Sequence, residues 1–297
     1  MTLPSSDQRR STALGILCGT GAAVFWAAGF VAARHGIDIG FTPADLMVHR
    51  FLWAGLALLP LFIQGGVGDL NGIGWFRGIV LTILGGPGLA LISYSGFLLV
   101  PLGHGAVIQP SCAALFGLLL ASVVLKERLP IHRLVGAFTM IAGLAVIGGE
   151  AIATIGAHGV LGDFAFAMAG IFFAIFGMLL RLWRIVPTRA AIVVSVVSLA
   201  YLPVHGALGG FERMAALGLQ ENLLQAVLQG VLAGAGGIYL FARSVVLLGA
   251  GRAAVFPSLV PGCALLIGYL ALGEVPTVAQ LVSFAIVLLG FRLTQKP

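Results

Sequence analysis

The sequence predicts an all-α integral membrane protein, with ten transmembrane helices arranged as two inverted five-helix repeats. Three observations predict it: an extremely apolar composition, ten apolar stretches of spanning length, and self-similarity at an offset of 147 residues. Of 297 residues, 60% are hydrophobic and 9% charged, where a soluble chain carries about a quarter charged. That balance excludes an ordinary soluble domain and a disordered chain. The net charge of +6 reads as a topology label and not as a phosphate-binding patch, so no nucleic-acid partner is expected. Cys18, Cys112 and Cys263 lie in apolar runs, are odd in number and lack ligand spacing. Neither a disulfide framework nor a metal or cofactor site is expected from them.

A spanning helix needs about 20 mostly apolar residues. Ten such stretches follow in order: 12–33, 44–64, 75–100, 104–124, 131–149, 160–182, 189–206, 223–247, 252–272 and 277–294. The first follows a short polar tail with Arg9 and Arg10; its length exceeds a signal-peptide core, so it is read as retained. Most of the breaks carry turn residues, among them Pro43, Gly65 to Gly74, Pro130, Pro187, Gly206 to Gly210 and Pro276. The weakest break is the one near Pro101, Gly103 and His104. With the N-terminus in the cytoplasm, the inner side receives Arg9, Arg10, Arg77, Lys126, Arg128, Arg133, Arg181, Arg184, Arg189, Arg243, Arg252, Arg292 and Lys296, and the outer side only Arg34, Arg50 and Arg213. That asymmetry supports ten spans with both termini inside.

The repeat emerges when residues 147 apart are compared. Arg34 meets Arg181, Pro110-Ser111 meets Pro257-Ser258, Glu127 meets Glu274, and Gly143 meets Gly290. Each copy, 12–149 and 160–294, holds five spans. Five is odd, so the second copy must enter the membrane upside down. Inverted repeats are a common architecture of secondary transporters, whose midplane sites gather at helix interruptions in corresponding positions. Candidate breaks are Gly86, Pro87 and Gly88 in span three, Gly236 and Gly237 in span eight, Pro110 in span four and Pro257 in span nine.

The chain resembles the drug/metabolite transporter superfamily of EamA type over nearly its whole length. The resemblance rests on Phe25-Trp26-Ala27-Ala28-Gly29-Phe30 in span one and on Pro43 with His49-Arg50-Phe51 in span two. It rests also on the repeat ends, Lys126-Glu127-Arg128-Leu129 leading to Gly136 and Gly143, and Gly273-Glu274-Val275 leading to Gly290. Among such proteins the chain looks closest to bacterial exporters of aromatic and other amino acids. The resemblance implies a central cavity with spans five and ten peripheral, in a bacterial inner membrane. Span seven lacks a counterpart of Arg50 and so departs from symmetry.

No span carries Asp or Glu near its centre, which favours facilitated diffusion over proton coupling. His49 is the exception to weigh, and a proton-coupled exporter of another substrate stays the alternative. Arg50 and Arg243 are the deepest cations, both within snorkelling reach of the headgroups. The sharper expectation pairs Arg50 with Glu274 and gives Arg243 a substrate carboxylate. Trp26, Tyr94, Gln109, Ser111, Phe173, Tyr239, Ser244 and Ser258 are further cavity-lining candidates, suited to a small amphipathic or zwitterionic ligand. The expected partners are that small molecule and the lipid bilayer; monomer and homodimer stay open. A pump is disfavoured because no Walker motif is present. An intramembrane enzyme is disfavoured because Ser111 and Ser258 follow proline with no histidine obviously beside them.

Overall fold

The computed structural model describes residues 6–127, 130–253 and 256–294. Arg128 and Lys296, two of the cations used for topology, lie outside the described residues, as does the side chain of Arg9. Among the described residues, eight helices are long and apolar enough to cross a membrane: α1 (Arg10–Ile39), α2 (Pro43–Gln64), α3 (Trp75–Gly96), α4 (Leu102–Val123), α5 (Ile131–Ile155), α6 (Ala157–Leu182), α7 (Pro187–Ala207) and α8 (Leu219–Leu248). Two shorter apolar helices follow, α9 (Phe256–Leu272) and α10 (Val278–Thr294). At 17 residues each, they reach about 26 Å, just under the ~30 Å hydrocarbon thickness.

Local chemistry sets the ends. At the start of α2 the Thr42 N–H donates to Asp45 Oδ2 at 2.8 Å while the Asp45 N–H donates to Thr42 Oγ1 at 3.3 Å, a reciprocal cap with Pro43 as the first helical residue. At the end of α9, Gly273 is left-handed (φ 70°) and its N–H donates to Tyr269 O. Glycine takes that conformation without the Cβ clash other residues meet, so the helix stops there and the next residue, Glu274, is turned back over the bundle. The counterpart 147 positions earlier is Lys126, also left-handed at φ 56°, and it delivers Glu127.

Packing follows the inverted repeat. Helix α1 lies against α8 and α9, and its counterpart α6 against α3 and α4. The related helices α2 and α7 pack on one another, as do α5 and α10. The last pair is closest at two glycines that face each other: a Cβ on Gly136 would stand 2.6 Å from Gly290 O, and one on Gly290 2.7 Å from Gly136 O. Small residues of this kind let membrane helices meet backbone to backbone. Ser283 Oγ then donates across the seam to Gly143 O at 2.7 Å.

Several helices contain irregular winding, and in α3 and α8 it falls at corresponding depths. Helix α3 is interrupted at Gly86, with regular helix over Trp75–Gly85 and again over Pro87–Gly96. Helix α8 is wound as a π-helix over Ala226–Gly236, and α-helix resumes at Gly237. Pro87 shifted by 147 falls on Gly234, inside that π segment. By contrast α4 runs helical through Pro110, and Pro257 sits in a 3-10 turn, Phe256–Leu259, at the head of α9.

Candidate functional site

Four helices bring polar groups together at mid-depth. Gly29 on α1 and Gln229 on α8 each lie ten residues from the helix end at the same face, Ile39 and Leu219. At ~1.5 Å per residue that is about 15 Å inside, half the hydrocarbon thickness. Gln229 Nε2 donates to Gly29 O at 3.0 Å, and the Tyr94 hydroxyl of α3 donates to Gln229 Oε1 at 3.1 Å. Arg50 of α2 reaches the backbone carbonyl of Gln229 from Nη1 at a long 3.5 Å. Close approach makes the cluster possible: a Cβ on Gly230 would stand 2.4 Å from Trp53 Cβ, and one on Gly29 2.7 Å from Ala233 Cβ. One residue before Tyr94, Ser93 Oγ donates to Gln109 Oε1 of α4 at 2.6 Å. Aromatic rings flank the cluster. Phe30 of α1 meets Phe97 edge-on at 6.1 Å, and Trp26 lies 5.4 Å from Phe241.

The other predicted site residues fall elsewhere. Ser111 Oγ donates to Val107 O on its own helix at 2.6 Å. Ser244 is fully buried and its Oγ has no partner in the structure. Ser258 is half-buried in the turn before α9. Tyr239 and Arg243 share the exposed side of α8, away from the face where Gly237 and Ser244 are buried. Phe173 is exposed on α6 and stacks on Phe176 at 6.0 Å.

The expected Arg50–Glu274 pair is corrected by the structure. Glu274 Oε1 accepts from Arg34 Nε at 2.8 Å, and Glu274 Oε2 from the Leu102 N–H at 3.1 Å. Arg34 sits near the end of α1, level with the turn after α9, whereas Arg50 lies seven residues inside α2 and is too deep to reach it. Arg34 also donates to Phe97 O at 2.9 Å and pairs with Asp38 at 3.1 Å. At the opposite face Arg181 of α6 bonds Glu127 after α4.

The Arg34 face carries further links between the repeats. Asp45, completely buried, accepts two bonds from Arg213 at 2.8 and 2.9 Å, with His205 3.2 Å away. Hydrogen bonding to that carboxylate pushes the Arg213 pKa up from its already high ordinary value, so this guanidinium stays charged. His35 Nε2 lies 3.0 Å from Glu221. His49 is occupied at both ring nitrogens: Trp53 Nε1 donates to its Nδ1 at 3.3 Å, which leaves Nε2 to donate to Asn222 Oδ1 at 3.1 Å. The Asn222 amide in turn donates to Met214 O and Gly218 O. That relay fits only the neutral tautomer, because a second ring proton would confront the indole N–H. A third buried group joins His104 Nδ1 to Asp163 at 2.7 Å, with Glu150 3.9 Å from Nε2.

Gln229 is the central residue that sequence reasoning missed. Gln225 and Gln229, one turn apart in an otherwise apolar stretch, were the available signal. Their side-chain amides donate to Ala32 O and Gly29 O of α1.

Membrane-spanning helices in inverted repeats, irregular at matching depths and enclosing a polar group at the midplane, define the architecture of a secondary transporter. Residues 13–149 and 160–294 each match the family described as the EamA-like transporter family. The chain belongs to that family, whose members are membrane transporters of the drug/metabolite type. A search of curated proteins finds no match. A solved structure titled only "Crystal structure of protein" is similar in fold, with a TM-score of 0.65 and 18% identity over 94% of this chain and 96% of its own.

Proposed function

We propose that this transporter exports small amphipathic metabolites, aromatic and other amino acids foremost, across a bacterial inner membrane by alternating access, with both termini in the cytoplasm. The supporting observation is the pair of ion pairs Arg34–Glu274 and Arg181–Glu127, related by the 147-residue repeat and sited at opposite ends of the bundle. Two equivalent halves that exchange conformations would break one pair while keeping the other, opening the midplane to one side at a time. The substrate runs down its own gradient, since the midplane groups Arg50, Tyr94, Gln229, Ser93 and Gln109 include neither a carboxyl group nor a histidine.

A second reading, proton-coupled export, is favoured by one observation. His104, Asp163 and Glu150 form a buried group in which Asp163 Oδ2 and Glu150 Oε2 lack hydrogen-bond partners. Flux of labelled phenylalanine, tyrosine and leucine into proteoliposomes, with and without an imposed pH gradient, tests both. Gradient-independent flux supports facilitated diffusion, and accumulation against the substrate gradient supports coupling. No flux of any amino acid removes the substrate assignment.

A further inference from the structure

We infer that Arg50, with Tyr94, is the site that receives the carboxylate of the transported molecule, in place of the Arg243 that the sequence suggested; this rests on the transporter reading above. A cation this far inside a membrane segment is costly unless something answers its charge. Two other arginines toward the same face have carboxylate partners: Arg34 has Glu274 and Asp38, and Arg213 has Asp45. Among the described residues no carboxylate lies within 4.0 Å of the Arg50 guanidinium. Its hydrogen bond is a single long one to the Gln229 carbonyl. Arg243, by contrast, sits on the exposed side of α8.

The surroundings suit an exchange of partners. Gln229 lies in the π-helical stretch of α8, a widened winding that recurs at functional sites. The Tyr94 hydroxyl, buried and within electrostatic reach of Arg50, points at the Gln229 side chain from the helical segment that begins just after the Gly86 interruption. A planar carboxylate entering between α2, α3 and α8 would accept two parallel N–H bonds from the guanidinium fork, replacing the weak carbonyl contact. Rotation of the Tyr94 hydroxyl adds a third bond. Trp26, Phe30 and Phe97 stand on the α1 and α3 side, as the rings that an aromatic substrate side chain would meet.

The test compares L-phenylalanine, its decarboxylated analogue phenethylamine and its deaminated analogue 3-phenylpropionate in proteoliposomes holding wild type, Arg50→Lys, Arg50→Gln or Tyr94→Phe. Wild type is expected to favour phenylalanine over phenethylamine by roughly tenfold or more, the value of a charge-assisted bond pair. Arg50→Gln should abolish that preference, Arg50→Lys should raise KM for phenylalanine severalfold, and Tyr94→Phe should reduce the preference by a smaller factor. An unchanged preference in Arg50→Gln, or equal flux of the two compounds in wild type, overturns the inference and leaves the transporter reading intact. Should Arg50→Gln fail to fold, an unchanged KM and preference in both Arg50→Lys and Tyr94→Phe overturns it. If wild type carries no amino acid, the substrate assignment fails instead. The quenching of tryptophan fluorescence by 3-phenylpropionate then decides: binding in wild type that is lost in Arg50→Gln supports the site, and no binding in wild type overturns it.

Discussion

Arg34 Nε donates to Glu274 Oε1 at 2.8 Å, joining the end of the first helix of one repeat to the turn after the fourth helix of the other. The same two residue types meet at the opposite face as Arg181 and Glu127, each displaced by 147 positions from its counterpart. One structural relation is therefore used twice, once per membrane face. The two copies differ in environment. Side-chain exposure is 21% and 27% for Arg34 and Glu274, against 55% and 35% for Arg181 and Glu127, so water screens the second pair more.

Charge exchange should expose that difference. Arg34→Glu is expected to destabilise the folded state by about 1–3 kcal/mol through lost charge-assisted bonds and new repulsion, and Arg34→Glu with Glu274→Arg to recover most of it. The same exchange at Arg181 and Glu127 should show a coupling below about 1 kcal/mol. Detergent-solubilised unfolding of the four single and two double variants, read as double-mutant cycles, measures both couplings. Strict additivity at Arg34 and Glu274 would contradict the ion-pair assignment.

Much of this fold was legible because membrane residence turns composition into geometry: an apolar run of a given length has few other uses. The repeat was legible because Arg34, Arg181, Glu127 and Glu274 align at a single offset. What the alignment lacks is adjacency. Nothing in the chain says that α1 lies beside α9, so Glu274 is matched to the wrong arginine; depth separates Arg34 from Arg50 only once the helices are placed. Gln229 was illegible for a related reason. Gln225 and Gln229, one turn apart, mark one face of α8 but not what that face meets, and the bonds of Gln229 run to Gly29 and Tyr94 on two other helices.

The turn before Glu127 carries strain that its counterpart lacks. Lys126 holds φ at 56°, where Gly273 stands at φ 70° in the related position. A residue with a Cβ pays about 1 kcal/mol or more for that conformation. Lys126→Gly should therefore raise stability by up to about 1 kcal/mol, seen as a higher melting temperature in detergent, whereas Gly273→Ala should lower it by a similar amount.

The α5–α10 seam leaves no room for side chains at its crossing. A Cβ on Gly143 would stand 2.7 Å from Val287 Cγ2 and 3.1 Å from Ser283 O. Gly143→Leu and Gly290→Leu should each cost about 1–3 kcal/mol by forcing the helices apart. Gly148→Leu on the same α5, where a Cβ meets nothing within 4 Å, should be tolerated. Unfolding midpoints of the three variants check the order; equal losses would mean that the seam is not the tight contact described.

Two buried serines on inward-facing positions should respond oppositely to loss of the hydroxyl. Ser283 Oγ donates to Gly143 O at 2.7 Å across the seam, so Ser283→Ala removes an interhelical bond, at about 1 kcal/mol, while Gly143 O keeps its helical partner. Ser244 Oγ is equally buried yet bonds nothing, so Ser244→Ala removes an unanswered polar group. That change should leave stability unaltered or raise it by up to about 1 kcal/mol, because the hydroxyl's desolvation is no longer incurred. If Ser244 instead met a bound substrate, Ser244→Ala would weaken flux with no loss of stability. Parallel melting and liposome-flux measurements on the two variants separate these roles.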